Sequence, residues 1–225
     1  MNIDLIRGFI KYSELIAAII GTIYFYKYKH THVKYFLFLL WYIVLTEFLS
    51  FYARKTGTLT FYTDENGNHY TVWFYNLLRF ITFNTLFFIY YNYLSSKKSK
   101  IKIKIFAISY IIIYFINWKF LQNFTRENSE IPRAIGSIFL IIAILFYFIE
   151  LLRSEKILVF HRILLFWISV GLLLYYSGTI PFALKWNGYA LIPGIHKLFL
   201  IQYILAIIMY LTFTFGFIWS KKESH

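Results

Sequence analysis

The sequence predicts an all-α membrane protein that crosses the bilayer seven times. Hydrophobic residues make up 60% of its 225 residues and only 15% are charged, which leaves too few charges to solvate a soluble globule. Mean hydropathy is +0.60. The apolar residues also cluster into stretches long enough for a membrane-spanning helix, which needs about 20 residues. The seven predicted spans cover residues 4–26, 33–53, 73–94, 103–121, 133–152, 158–183 and 193–219.

The first span is unusual because it carries charged residues. Ionisable groups are costly in hydrocarbon, so they are expected to face other helices or a wet cavity, while small residues let another helix approach closely. The same charges, and the lack of a basic start, argue against a cleavable signal peptide. Six residues spaced alternately three and four apart share one face of this helix: Asp4, Arg7, Lys11, Glu14, Ala18 and Gly21.

Turn and proline signals bound the later spans. Residues 58–72 carry alternating β-formers around an Asn-Gly turn, and fit either a short hairpin or an irregular hydrated loop. Pro132 suits the first turn of the fifth helix. Gly178 and Pro181 are expected to end or kink the sixth helix, and Pro193 is expected to begin the seventh. With no separate soluble region predicted, residues 1–225 form a single membrane domain.

Lysine and arginine are distributed unevenly between the two sets of connections. The five lysines within residues 97–104 decide the orientation, because cytoplasmic loops carry an excess of positive charge. The N-terminus is therefore predicted outside and the C-terminus inside, in a bacterial cell inner (cytoplasmic) membrane. The predicted inner set comprises Lys27, Lys29, Lys34, Lys97, Lys98, Lys100, Lys102, Lys104, Arg153, Lys156, Arg162, Lys221 and Lys222.

Polar residues gather in the outer half of the predicted bundle, whereas the inner half is nearly all Ile, Leu, Phe and Tyr. This asymmetry predicts a pocket that opens outward and is sealed inside by packing. We expect Arg79 to pair with Glu14 or Glu47 and to anchor a zwitterionic or anionic small molecule. The same ion pairs would alternatively serve only to lock the first three helices together. The predicted ligand-binding residues are Arg7, Lys11, Glu14, Glu47, Asn76, Arg79, Tyr176, His196 and Gln202.

The composition argues against several classes of chemistry. The sequence has no cysteine, two aspartates and six scattered histidines, which do not fit thiol catalysis, clustered-aspartate magnesium sites or di-iron centres. It also lacks HExxH, GxSxG and P-loop motifs. We therefore predict no catalytic residue, no metal site and no cofactor. The net charge of +13 is explained by the connections of a membrane protein, so no nucleic-acid partner is expected.

Two segments resemble known families. Residues 55–61, Lys-Thr-Gly-Thr-Leu-Thr-Phe, resemble the Lys-x-Gly-x-x-x-Phe loop of the membrane-embedded lycopene cyclases, which implies an enzyme acting on an isoprenoid. Those enzymes carry paired acidic residues at the start of the next helix, where this sequence reads Asn76-Leu-Leu-Arg79. Residues 166–178 resemble uncharacterised seven-helix bacterial membrane proteins of sensor-domain type, which implies a seven-helix fold.

Three functions remain open. The preferred interpretation is a sensor-like or ligand-binding membrane protein that signals through a separate cytoplasmic or membrane partner protein. The second is a small-solute or proton-coupled carrier, in which Glu14, Glu47 and Arg79 act as the switch. The third is a membrane-embedded enzyme acting on a lipid or isoprenoid, with Glu14 or Glu47 as the acid. Under all three, anionic lipid headgroups are expected to contact the basic inner loops.

Overall fold

The structure, a computed structural model, describes residues 3–65, 67–183 and 196–222, and this part of the chain is all-helical. The all-α prediction is confirmed. A 3₁₀ turn (Phe25–Lys27), a π-helical turn (Asn117–Leu121) and a 3₁₀ segment (Glu155–Arg162) connect longer helices. The long helices of the described residues are α1 (Ile3–Ile23), α2 (Lys34–Thr56), α3 (Val72–Tyr93), α4 (Lys97–Ile116), α5 (Glu130–Leu152), α6 (Leu164–Ala183) and α7 (His196–Trp219).

Five helices within the described residues are long and apolar enough to cross a membrane. They are α2, α3, α4 with its π-helical turn, α5, and the Leu200–Trp219 part of α7. The apolar stretch of α6 is shorter, Leu164–Ile180. Large apolar side chains such as Phe48 and Leu211 are exposed on the helices, where a bilayer would solvate them. Length, composition and exposed surface together indicate a membrane protein.

Two helix starts differ from the predicted boundaries by six residues each. α4 begins at Lys97 rather than at residue 103, so the lysine-rich segment forms the first turns of a helix instead of a loop. Lysine is a good helix former, and the Ser96 hydroxyl caps this helix by accepting from the Ser99 N–H at 3.4 Å. α6 begins at Leu164 rather than at residue 158, because the preceding 3₁₀ segment is broken at Val159, where φ is −126°.

Six of the helices close a ring. α1 packs against α2 and α7, α3 packs against α2 and α5, and α6 packs against α5 and α7. α4 lies outside this ring, against α3 and α5. Each α-helix therefore turns one side toward the ring or toward a neighbour and leaves another side exposed. This arrangement brings residues from α1, α3, α6 and α7 toward one interior although they are far apart in sequence.

One half of the bundle interior is packed with aromatic side chains. Phe36 of α2 makes an edge contact with Phe213 of α7, with ring centroids 4.9 Å apart. The buried hydroxyls of Tyr90 (α3) and Ser169 (α6) share a hydrogen bond of 2.7 Å. These residues lie close to the end of the bundle where α2 and α6 begin and α3 and α7 end. Such packing closes this half of the interior.

The end just described, called here the lysine-rich end, contains connections 24–33, 94–96 and 153–163 and residues 220–222. The Lys27 ammonium ties it together by donating to the carbonyl oxygens of Phe217 (3.2 Å), Ile218 (2.8 Å) and Ser220 (2.8 Å). A cation there also complements the negative C-terminal end of the α7 dipole. Burial lowers the pKa of Lys27 from its ordinary value, while the three carbonyls favour the charged form.

The opposite end contains connections 57–71 and 122–129, which contact each other. The Arg126 guanidinium lies 3.8 Å from the ring centroid of Tyr62. In the region where either a hairpin or an irregular loop was expected, one antiparallel bridge joins Thr63 to His69. The Tyr70 N–H donates to the Tyr62 carbonyl at 3.0 Å. Within the expected region 58–72, hairpin pairing among the described residues is thus confined to residues 62–65 and 67–70.

Candidate functional site

An acidic cluster forms where α1, α2 and α7 meet. It is defined here by Glu14, Glu47, Lys11 and Tyr210. The Glu14 side chain is only 4% exposed and lies within electrostatic range of the Tyr210 hydroxyl, Glu47 and Lys11. The Lys11 Nζ lies 3.8 Å from the Glu47 Oε2. The ammonium therefore pairs with Glu47 on the neighbouring helix and lies near Glu14 on its own helix, and Tyr75 of α3 lies within electrostatic range of Glu47.

The helical period of α1 explains why Glu14 is buried. Glu14, Ala18 and Gly21 lie on the side of α1 that packs against other helices, and all three are buried. The Gly21 Cα is so close to α2 and α7 that an added Cβ would lie 2.9 Å from a Leu37 methyl carbon. Lys11, at the margin of this face, is about half exposed. The side chains of Asp4 and Arg7 lie outside the described part of the structure.

A second polar cluster fastens the connection between α4 and α5 onto α3. Asn76 is fully buried, and its Nδ2 donates to the carbonyls of Phe124 (2.8 Å) and Glu127 (2.9 Å). Its Oδ1 accepts from the Arg79 Nη1 and from the Ser129 N–H, both at 3.0 Å. The amide of Asn76 thus has both donors and its acceptor engaged. Asn76 holds the site together and has little capacity left for a ligand.

Arg79 binds neutral partners in this cluster. Its Nη2 donates to the Asn128 Oδ1 at 2.9 Å, in addition to the bond with Asn76. The Tyr110 hydroxyl donates to the Arg79 carbonyl at 3.4 Å, and the Tyr114 hydroxyl donates to the Asn76 carbonyl at 2.9 Å. Two tyrosines of α4 therefore fix the α3 backbone at the point from which the guanidinium projects. The cluster named here the arginine cluster comprises Asn76, Arg79, Tyr110, Tyr114 and Asn128.

The predicted ion pair between Arg79 and Glu14 or Glu47 is wrong. In the described part of the structure, Glu47 pairs with Lys11, and Arg79 has no carboxylate within salt-bridge distance. The reason is the connection between α4 and α5, which folds over α3 and supplies the amide oxygen of Asn128. Glu47 meets Lys11 instead because α1 and α2 are neighbours in the ring.

Tyrosines of α6 lie between the two clusters. Tyr175 is within electrostatic range of both Arg79 and Tyr210. Its neighbour Tyr176, a predicted site residue, is in range of Arg79 and Arg133 and packs against Phe83 with ring centroids 5.4 Å apart. Arg79, Tyr175 and Tyr176 each retain some accessible surface.

Two predicted site residues lie on α7, and the structure describes the side chain of only one of them, Gln202. Gln202 is 4% exposed, and its Nε2 has no hydrogen-bond partner among the described residues. A buried, unsatisfied amide donor is costly, typically by about 1–3 kcal/mol. The backbone of His196 begins α7, but its side chain lies outside the described residues.

Sequence reasoning missed several residues that the fold brings to the site. Tyr210 and Asn128 carried no signal, because tyrosine and asparagine are frequent throughout this chain and their partners are distant in sequence. Tyr175 did carry one, since it begins the run Tyr175-Tyr176-Ser177-Gly178, which the sequence offers as a pocket lining or as aromatic packing. Arg133 did carry one. It lies four residues before Ser137 in α5, so the two share a helix face, and the Ser137 hydroxyl donates to the Arg133 carbonyl at 2.7 Å. That spacing indicates that Arg133 lies on a patterned face of α5, although Arg133 is not among the site residues predicted from the sequence.

Chemically, the site offers carboxyl groups on one side and a guanidinium on the other, separated by tyrosine hydroxyls. Such a pair of opposite charges suits a zwitterion, and the guanidinium alone suits an anion. No group of three or more potential metal ligands occurs among the described residues. Comparison of the chain with protein-family models, with curated proteins and with solved structures finds no match.

Proposed function

We propose that the chain is a multi-pass membrane protein that binds a small zwitterionic or anionic ligand and passes the signal to a separate partner protein. Seven spans are proposed: the five long apolar helices, α6, and α1 with its charges turned inward. The N-terminus is outside, and the lysine-rich end is on the cytoplasmic side of a bacterial inner membrane. The concentration of lysine and arginine at that end supports this orientation.

The orientation can be tested because the native chain has no cysteine. Thr58→Cys lies in the connection after α2 and Ser99→Cys lies in the first turn of α4, at opposite ends of the bundle. We expect a membrane-impermeant maleimide to label Thr58→Cys in intact cells, and to label Ser99→Cys only after the membrane is permeabilised. The reverse pattern would overturn the orientation, and labelling of both in intact cells would show that α3 does not cross the membrane.

The observation that carries the ligand proposal is the uncompensated charge of Arg79. Its guanidinium hydrogen-bonds to amide oxygens rather than to a carboxylate, and Arg133 lies near enough to repel it. A buried charge without a counter-charge is unfavourable, so an incoming anionic group would be strongly stabilised. The unsatisfied Nε2 of Gln202 offers a further donor. An ammonium group on the same ligand would be matched by Glu14 and Glu47.

We expect a matching ligand to raise the unfolding temperature of the purified protein. A ligand present at 100 times its Kd adds about 2.7 kcal/mol, which corresponds to roughly 5–10 °C for a domain of this size. The probes are a pool of the common α-amino acids, acetate, and inorganic phosphate, each tested separately by thermal unfolding in detergent. Arg79→Gln should abolish the shift, whereas Arg126→Gln, in the surface connection, should leave it intact.

The acidic cluster should contribute to the binding of zwitterions, which carry an ammonium group, but not to the binding of simple anions. Glu14→Gln and Glu47→Gln should weaken binding of amino acids but not of acetate or phosphate. No shift of the wild-type protein with any probe would overturn the proposal, as would equal shifts in wild type and Arg79→Gln.

A carrier is the second candidate, favoured by the proximity of two carboxyl groups. Glu14 and Glu47 lie within electrostatic range of each other, and Lys11 bridges to only one of them at 3.8 Å. Such a pair can exchange a proton or cation when a substrate enters. Uptake of a bound probe into proteoliposomes that is lost in Glu47→Gln would favour the carrier over the sensor.

A further inference from the structure

We propose that a cleft at the lysine-rich end binds the phosphate-bearing headgroup of an anionic membrane lipid. The cleft has a volume of about 510 Å³ and lies between the ends of α3, α5 and α7 and the 3₁₀ segment Glu155–Arg162. This volume is sufficient for a glycerophosphate headgroup and the start of its acyl chains. The site is independent of the ligand site near Arg79, which lies toward the other end of the bundle.

The lining of the cleft is positively charged. Arg162, Lys221 and Lys222 all line it, and Glu150 is the one acidic residue among the described lining residues. The Glu150 carboxylate is already engaged, since it accepts hydrogen bonds from the N–H groups of Ser95 (2.6 Å) and Ser96 (3.2 Å). In the described part of the chain, none of the three cations has a carboxylate within salt-bridge distance. Three cations that line one cleft favour an anionic ligand.

The backbone holds these cations together. The Lys221 N–H donates to the Arg162 carbonyl at 3.0 Å, which joins the segment after α7 to the end of the 3₁₀ segment. The Arg162 guanidinium lies 4.6 Å from the ring centroid of Trp219. This contact orients a planar donor that pairs well with phosphate oxygens. Asn92 and Ser154 add neutral hydrogen-bonding groups to the same lining.

An apolar surface beside the cleft favours a lipid over free phosphate as the ligand. Leu158 is 82% exposed and Val159, which also lines the cleft, is 51% exposed. Trp219 is 43% exposed at the same end. Exposed leucine and tryptophan next to a basic cleft are typical of residues in a membrane interface. A headgroup in the cleft would place its acyl chains along Leu158 and Val159.

The test uses the full-length protein in detergent micelles, with bound lipids counted by native mass spectrometry. Phosphatidylglycerol is the anionic probe and phosphatidylcholine the neutral comparison. We expect the wild type to retain one phosphatidylglycerol in preference to phosphatidylcholine. The double variant Arg162→Gln/Lys222→Gln should lower that retention by roughly tenfold, because juxtamembrane cations attract anionic headgroups. Lys97→Gln/Lys98→Gln removes the same charge from the same end but outside the cleft, and should retain the lipid.

Further variants keep the proposal testable if Arg162→Gln fails to fold. Lys222→Gln alone should weaken retention, and the exposed position Leu158 allows Leu158→Ser to test the acyl-chain contact without removing charge. Equal loss in the cleft and control double variants would overturn the proposal in favour of general charge attraction. Displacement of the lipid by inorganic phosphate at equal concentration would overturn it in favour of a free-phosphate site. Either outcome leaves the proposed ligand site near Arg79 untouched.

Discussion

Replacement of Asn76 by alanine is expected to lower the unfolding temperature by roughly 10 °C, because it costs about 4 kcal/mol in buried hydrogen bonds. The change removes the acceptor of the Arg79 Nη1 and of the Ser129 N–H, and the donors to the carbonyls of Phe124 and Glu127. Ser129 is 4% exposed, so water cannot readily replace the lost partner. Thermal unfolding in detergent, followed by tryptophan fluorescence, measures the effect.

Asn84→Ala is the matched control on the same helix. The Asn84 side chain donates at 2.8 Å to the carbonyl of Phe80, one turn earlier in α3, so its loss should cost no more than about 1 kcal/mol. Asn76→Asp keeps the acceptor for Arg79 but loses the donors, so its unfolding temperature should lie between those of Asn76→Ala and Asn84→Ala. Equal unfolding temperatures for Asn76→Ala and Asn84→Ala would show that the connection between α4 and α5 does not depend on Asn76.

Gly136→Val is expected to destabilise the bundle by on the order of 3 kcal/mol or to prevent folding. An added Cβ at Gly136 would lie 2.9 Å from ring carbons of both Phe83 and Tyr110, and valine brings two further methyl groups. Phe83 is 1% exposed and Tyr110 is fully buried, so neither ring has room to move. Because the Tyr110 hydroxyl bonds to the Arg79 carbonyl, any displacement also disturbs the arginine cluster.

The measurement is again thermal unfolding, together with the yield of monodisperse protein after extraction from the membrane. Gly8→Val in α1 is the control, since no described heavy atom lies within 4 Å of its Cβ position. Valine is a somewhat better helix former than glycine, so this variant should be neutral within about 0.5 kcal/mol. Similar unfolding temperatures for the two variants would mean that α5 does not approach α3 and α4 as closely as described.

The fold class and the buried face of α1 follow from local sequence patterns. A run of about 20 apolar residues has few alternatives to a helix in a membrane, whatever its neighbours are. Likewise, the spacing of Glu14, Ala18 and Gly21 places them on one face of a helix without reference to any other segment. Helix ends were less accurate. The segment that holds the lysines from 97 to 104 was predicted to begin as a loop, but it forms the first turns of α4, because lysine also favours helix.

What the sequence determined by itself was therefore the helical class, its membrane-compatible surface and the inward face of α1. Only the tertiary structure decided which inward residues meet. Arg79 hydrogen-bonds to Asn128, and Glu14 lies within electrostatic range of Tyr210, across 49 and 196 residues of chain respectively. Helix periodicity is set by the residues within one or two turns, whereas these partners are set by ring order and by how one connection folds over α3. Neither the ring order nor the path of that connection can be predicted from the residue pattern of a single helix.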